Sequence, residues 1–262
     1  MYTPTVKVKK SGVPVVSKKE LDAIGERIVA DFQPNVLKNP EPVDIDGFAE
    51  LYLGMTPDYQ YLSHNGIYLG MTVFNDTNKV IVFDPTSQRA EYISAKARTM
   101  IIDKQLLEEN QQHRYRFTVG HEASHDILHT AYFAYDPCQI SMFDDYEPMI
   151  QCRLDTPSGN KKNTTEWNDC DWMEWQANTL SSAILMPKCA VELIANRYRE
   201  HKDLKNPIHR CILVAHISNA FDVSIAAATI RLKDLGYIDK NDTTDYSIGT
   251  TLMDFASVVA AV

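Results

Sequence analysis

The feature that most constrains the fold is His121-Glu122-Ala123-Ser124-His125, in which two histidines four positions apart flank a glutamate. Residues four apart lie on one face of an α-helix, with Cβ atoms about 6 Å apart, so both imidazoles can reach one ion. No proline occurs between Gln111 and Tyr135. The pattern predicts a metal-binding helix in which Glu122 takes a proton from a metal-bound water. The alternative is a pair of surface histidines beside an ion-pairing glutamate.

A tetrahedral catalytic zinc needs a third protein ligand and one open position. In the metzincin arrangement the third ligand is a histidine ten residues after the first. That arrangement is excluded here, because the position is Ala131. His129 lies too far along the same helix to complete the tetrahedron easily, so we expect it to be buried or to support a ligand. The third candidate is Glu174, near the start of a predicted helix ending at Pro187; its alternative role is an exposed glutamate favoured by the helix dipole. Asn178, one turn later, could orient a ligating imidazole.

Two segments resemble a known family. RFTVGHEASHDILH and EWQANTLSSAILMP are similar to the ImmA/IrrE family of zinc-dependent endopeptidases, whose pattern is roughly RxxFTxAHExxHxxLH followed by ExxANxFAxxLLMP. The resemblance implies one Zn²⁺ per chain, with His121, His125 and Glu174 as ligands and Glu122 as general base. By similarity to thermolysin-type enzymes, Asn178 would hold the ring of His121.

The sequence departs from the family pattern at four points, of which the spacing is the last. Gly120 stands where Ala is usual, Ala123-Ser124 where Leu-Gly is common, and Leu180-Ser181 where Phe-Ala is usual. The spacing from His125 to Glu174 is 49 residues, which is roughly 20 longer than is typical of the family. The extra length falls within about residues 131–170, and it would form either a lid over the cleft or a surface embellishment.

Substrate contacts are less constrained by the sequence. The developing oxyanion needs a donor besides the metal, and the candidates are Tyr132, Tyr135, Tyr146, His209 and His216. We expect a peptide substrate to lie along an exposed strand edge before the zinc helix, and TMIIDK at 99–104 is the predicted edge. The alternative is that TMIIDK forms an internal strand.

The remaining patterns predict an α+β fold with a small antiparallel sheet beside a mainly helical, zincin-like body. GMTVFND and NKVIVFDP indicate a hairpin around Asp76-Thr77-Asn78. Residues 1–41 are expected to form a loose basic arm, a helix capped by Ser17 and a proline-rich linker. Residues 42–238 are the predicted peptidase-like domain, and residues 239–262 a C-terminal tail.

The C-terminal helices at about 208–236 resemble a helix–turn–helix, but the second helix begins with the small or apolar run Ile225–Thr229 instead of base-reading side chains. The formal net charge of −9 also disfavours gripping a phosphate backbone. We therefore expect a packing motif and no direct nucleic-acid contact. Five widely spaced cysteines, no secretory signal and no long apolar window predict a cytoplasmic protein without a membrane segment.

The predicted function is a zinc metallopeptidase that cleaves a protein substrate. The resemblance implies a specific partner, a helix–turn–helix repressor in bacterial or phage mobile-element or stress control. The alternative is a catalytically weak zinc-binding regulatory module that acts by binding its partner.

Overall fold

A computed structural model describes residues 1–134, 149–153 and 164–248. The strands in these ranges are β1 (Lys7–Val8), β2 (Pro14–Val15), β3 (Thr56–Gln60), β4 (Tyr68–Val73), β5 (Thr77–Asp84), β6 (Arg89–Ala95), β7 (Thr99–Asp103) and β8 (Met149–Arg153). The α-helices are α1 (Lys18–Phe32), α2 (Ile45–Gly47), α3 (Gln112–Phe133), α4 (Asp169–Leu185), α5 (Lys188–His201), α6 (Pro207–Phe221) and α7 (Ile225–Asp234). The chain divides into two compact units, residues 1–24 with 44–181, and residues 25–43 with the chain from 182. The prediction of an α+β fold is confirmed.

The main sheet of the first unit has four strands in the order β3-β7-β4-β8. β4 pairs antiparallel with both β7 and β8, but β3 and β7 are parallel. The prediction of an antiparallel sheet is therefore wrong for one of three pairings. The chain leaves β3, passes through β4 and the β5–β6 ribbon, and re-enters the sheet beside β3 in the same direction, as a parallel pair requires.

The predicted substrate edge, TMIIDK, lies inside the sheet. All five residues of β7 are buried, and its backbone pairs with β3 on one side and β4 on the other. The edge prediction is wrong, because a strand paired on both sides has no free N–H and C=O row for a peptide. The outer strands of the described sheet are β3 and β8.

The predicted hairpin around Asp76-Thr77-Asn78 is also absent from the described pairings, since β5 pairs with β6 and not with β4. The turn between β5 and β6 explains this choice. The Asp84 carboxylate accepts the backbone N–H groups of Thr86 and Ser87 at 2.9 and 3.1 Å, and Gln88 adopts a φ of +56°. These contacts reverse the chain immediately after β5.

The N-terminal residues are not a loose arm. β1 and β2 pair antiparallel, and Val13 is fully buried in a cluster with Phe133 and Met173. Ser17 caps α1 as predicted: its Oγ lies 3.3 Å from the N–H of Glu20, whose carboxylate accepts the Ser17 N–H at 2.7 Å. Apolar contact with distant helices thus overrides the basic composition of this segment.

Helix α2 is followed by a π-helical turn, Phe48–Tyr52, and Gly54 then has a φ of +71°. Within the predicted 131–170 insertion, the structure describes residues 131–134, Met149–Arg153 and the residues from 164 onward. β8 pairs with β4. Whether the insertion forms a lid or a surface embellishment depends on residues outside the described ranges, so both alternatives stay predictions.

In the second unit, the predicted proline-rich linker includes a 3₁₀ turn at Pro34–Leu37, whose first residue is pre-set for a helical φ. The helix–turn–helix-like segment forms α6 and α7, with Asp222 at a φ of +51°. Ser224 is the N-cap of α7, and its Oγ accepts the Ala227 N–H at 3.1 Å. Arg231 is 1% exposed and donates from Nε to the carbonyl of Met186. This arginine packs inside the unit, as expected of a packing motif.

Of the predicted tail, residues 239–248 are described, and Tyr246 is buried beside Arg210, which also pairs with Asp242 at 2.9 Å. Residues 249–262 lie outside the described chain. Among the described helices, none is by itself long and apolar enough to cross a membrane. The pair α6 and α7, bent by 110°, meets the length and composition criteria together.

Candidate metal centre

Helix α3 places the histidine pair in the interior of the first unit. His121 and His125 are fully buried, and their Nε2 atoms lie 2.9 Å apart. From α4, the Glu174 carboxylate approaches both rings: Oε2 is 3.3 Å from His121 Nε2, and Oε1 is 3.4 Å from His125 Nε2. The structure therefore brings together the three predicted ligands, and among the residues described they form a group able to hold a metal ion.

The donor atoms fit the geometry of zinc. A tetrahedral ion with bonds of about 2.0–2.1 Å has donor atoms about 3.3 Å apart. The three measured separations, 2.9, 3.3 and 3.4 Å, lie close to that value. The Glu174 side chain is 34% exposed while both imidazoles are buried, so solvent approaches the group from the glutamate side. Two neutral nitrogens and one carboxylate with an approachable side match a catalytic site better than a closed structural one.

Asn178 lies where the sequence places it, one turn after Glu174. Its Oδ1 is 3.0 Å from His121 Nδ1. Because an amide oxygen only accepts, this contact places the ring proton of His121 on Nδ1 and leaves Nε2 free to bind a metal. The contact also fixes the plane of the imidazole.

The electrostatics suit metal binding. Burial lowers the pKa of His125 to about 4, so this imidazole is neutral at pH 7, as a metal ligand must be. Burial acts to raise the pKa of Glu174, whereas the approach of the His121 and His125 rings lowers it, and the net shift is downward. The group therefore offers a neutral His125 imidazole and an ionised Glu174 carboxylate.

Glu122 is the buried carboxyl group of the site. Its Oε2 lies 2.6 Å from Thr72 Oγ1, whereas its Oε1 has no hydrogen-bond partner among the described residues. Burial raises the pKa of Glu122 to about 7. One carboxyl oxygen of Glu122 is therefore hydrogen-bonded and the other is not. Such a group is suited to exchange a proton with a water in the site.

Two residues of this arrangement carry no signal in the sequence. Thr72 and Gly70 lie on β4, about fifty positions before Glu122. A Cβ at Gly70 would lie 2.7 Å from Glu122 Oε1, so the absence of a side chain makes room for the glutamate. The hydroxyl of Thr72 is also 3.0 Å from the backbone carbonyl of Glu122. A threonine and a glycine are common in short strands for reasons unrelated to catalysis. Only the packing of β4 against α3 shows that these two residues contact Glu122.

The other sequence candidates are distributed as follows. His129 is fully buried, as predicted. Tyr132 is half-buried in the cluster around Val13 and Phe133. His209 and His216 belong to the second unit, where His209 Nδ1 lies 2.9 Å from the Asp203 carbonyl and His216 is beside Tyr198. Tyr135 and Tyr146 lie outside the described residues, and the oxyanion donor stays unassigned.

Residues 153–233 match the family model of the IrrE N-terminal-like domain, a peptidase family. The resemblance to the ImmA/IrrE family is thereby confirmed over these residues. The matched range contains Glu174 and Asn178 and begins after α3, which carries the two histidines. A comparison with curated proteins gave no match. Residues 153–233 of the chain thus match a peptidase family, and the structure adds a His121, His125 and Glu174 cluster compatible with a metal ion.

Proposed function

We propose that this protein is a zinc-dependent endopeptidase. The observation that carries the proposal is the position of Glu122: its unpartnered Oε1 is buried on the helix that carries His121 and His125. A structural metal site has no use for a buried carboxyl group without a partner, which costs folding free energy. Hydrolysis, in contrast, requires a carboxyl oxygen that is free to accept a proton from water.

The site residues divide the work of the reaction. His121, His125 and Glu174 would hold the ion, and Zn²⁺, when bound, would polarise the scissile carbonyl and lower the pKa of water. Glu122 would accept at Oε1 a proton from the water whose oxygen bonds to the carbonyl carbon, and would deliver it to the amine nitrogen as the C–N bond breaks. The Thr72 hydroxyl, at Oε2, holds the carboxyl group in place while Oε1 changes its protonation.

We infer that the substrate is a specific regulatory protein in the cytoplasm, of the helix–turn–helix repressor class. The support is the family match together with the partner class that the sequence resemblance implies. The net charge of −9 is consistent with recognising a basic protein instead of nucleic acid.

A metal assay with two matched variants tests the site. We expect about one zinc per wild-type chain, one per chain in Glu122→Gln, and a strong loss in Glu174→Ala. Elemental analysis after dialysis gives the content. Wild-type protein that takes up no zinc would contradict the proposal, and unchanged zinc in Glu174→Ala would exclude Glu174 as a ligand.

A cleavage assay tests the chemistry. The zinc-loaded protein is incubated with a peptide library made from a bacterial proteome, and new amino termini are identified by mass spectrometry. We expect a defined set of cleavages, with rates at least about 10²-fold lower for Glu122→Gln. Equal cleavage by both proteins would show a contaminating protease. Regulation of a partner by zinc-loaded Glu122→Gln, without cleavage, would instead support a binding module.

A further inference from the structure

A continuous chain of buried hydrogen bonds starts at His125 Nδ1, the ring nitrogen that faces away from His121 and Glu174. His125 Nδ1 lies 2.8 Å from His129 Nδ1, and His129 Nε2 lies 3.0 Å from Gln176 Oε1. The Gln176 amide then donates from Nε2 to the backbone carbonyl of Pro14 at 2.8 Å. The two histidines and Gln176 are at most 1% exposed, so water does not substitute for any of these partners.

The last group in this series of hydrogen bonds, the Pro14 carbonyl, determines which group donates at each step. A backbone carbonyl only accepts, and proline has no N–H, so Gln176 must turn its NH₂ group to Pro14 and its oxygen to His129. His129 Nε2 must then carry the proton and donate it to that oxygen. A neutral imidazole with its proton on Nε2 has a lone pair on Nδ1, which accepts from His125. His125 therefore carries its proton on Nδ1 and presents a bare Nε2 toward His121 and Glu174.

From this sequence of constraints we propose that His129, Gln176 and the Pro14 carbonyl are positioning groups that hold His125 in its metal-binding tautomer. The proposal rests on the proposed function, in which His125 is a metal ligand. It places a segment of the N-terminal hairpin in the support of the metal centre, a role that no motif indicates. His121, His125 and Glu174 would contact the ion, whereas these three groups act only through His125.

The attachment of the hairpin supports this role. Gly12 turns with a φ of +91°, and a Cβ there would lie 3.3 Å from the Cα of Tyr132 on α3. Lys9 pairs with Asp169 at 2.9 Å at the start of α4. Val13, next to Pro14, is fully buried. The Pro14 carbonyl is thus held between the two helices that supply the ligands.

The first test measures the tautomers directly in the metal-free wild-type protein. ¹⁵N chemical shifts and two-bond couplings of the imidazoles distinguish the two neutral forms. We expect the proton of His129 on Nε2 and that of His125 on Nδ1. A His129 proton on Nδ1 would overturn the proposal, whether or not the protein binds metal.

The second test measures Co²⁺ affinity by competition with a chelator. Gln176→Met keeps the length of the side chain but offers no oxygen to His129, and His129→Leu removes the acceptor of the His125 proton. We expect each to weaken Co²⁺ binding by about 10- to 100-fold. His129→Gln restores an oxygen at this position and should recover much of the affinity.

Ser124→Ala is the matched control. Ser124 is equally buried on α3, but its hydroxyl donates to the Gly120 carbonyl and takes no part in the chain of hydrogen bonds. Its Co²⁺ affinity should equal that of the wild type. A folded Gln176→Met protein with wild-type Co²⁺ affinity and unchanged tautomers would overturn the proposal. A wild type that binds no Co²⁺ would overturn the proposed function instead, while the tautomers still decide this inference.

Discussion

A methyl group added at position 70 is expected to displace the proposed general base. The Cβ of Gly70→Ala would lie 2.7 Å from Glu122 Oε1 and 2.7 Å from Thr118 Cγ2. Unstrained carbon contacts are about 3.5–4.0 Å, so these atoms must retreat by about 1 Å. β4 is held by β7 on one side and β8 on the other, which leaves the side chains of α3 to move. Gly70 is not among the glycines with a positive φ, so the strain comes only from lack of space.

The size of the effect follows from two opposing contributions. Overpacking a close-packed interior costs about 1–3 kcal/mol. Replacing Gly by Ala restricts the unfolded chain and returns about 0.4–1 kcal/mol. We therefore expect the free energy of unfolding to fall by about 1–2 kcal/mol. A displacement of about 1 Å at a catalytic group lowers the rate by about 10²-fold.

Urea unfolding of the metal-free protein gives the stability change, and cleavage of an identified peptide gives the rate. Thr118→Ser supplies the control, because it removes the Cγ2 atom that a methyl at position 70 would meet. The double variant should regain stability but not activity, since the contact with Glu122 persists. Wild-type stability and cleavage in Gly70→Ala would refute the argument that Gly70 makes room for Glu122.

Two further predictions concern stability. Gly120→Ala would place a Cβ 2.7 Å from Ser181 Oγ and should lower the melting temperature. Adding Ser181→Ala removes this clash and should stabilise α3, because alanine favours a helix over glycine by about 1 kcal/mol. A double variant no more stable than the single Gly120→Ala variant would contradict this prediction. At the end of β7, burial raises the pKa of Asp103, so the folded protein binds a proton there more tightly than the unfolded chain. The stability of the wild type relative to Asp103→Asn should therefore increase as the pH falls through that raised pKa, and level off below about 3.9, the pKa of Asp in the unfolded chain. Urea unfolding of both proteins between about pH 7 and 4 would measure the change. A stability difference independent of pH would refute the prediction.

The parts of the site that were predictable from sequence are those whose geometry is local. His121 and His125 are one helical turn apart, so helix periodicity alone places their rings on one face. Asn178 is likewise one turn after Glu174. Bringing Glu174 to the histidines is a different matter, because 49 residues separate it from His125 and no periodicity spans that distance. The family resemblance, and not the spacing, identified it.

Strand pairing was the least predictable part of the fold. The apolar pattern locates β4, β5 and β7 correctly but does not determine which strands pair. The side chain of Asp84 binds two N–H groups of the following turn, and that local preference directs β5 to β6 instead of back to β4. β7 consequently lies between β3 and β4, where none of its residues is exposed. Turn chemistry and the path of the intervening ribbon thus decided the position of a strand whose own sequence suits either an edge or an interior.

The N-terminal hairpin shows why local composition can mislead about a metal centre. Its strands have two residues each, and its lysines suggest a solvated segment. What fixes it is the burial of Val13 against Phe133 and Met173, and these partners are more than a hundred residues away in the chain. Both partners lie on helices that carry proposed ligands, so the contact that anchors the hairpin also brings the Pro14 carbonyl to Gln176. The ligands come from recognisable motifs, but the direction of the hydrogen bonds behind His125 is determined by a backbone group, and a backbone carbonyl leaves no trace in a sequence pattern.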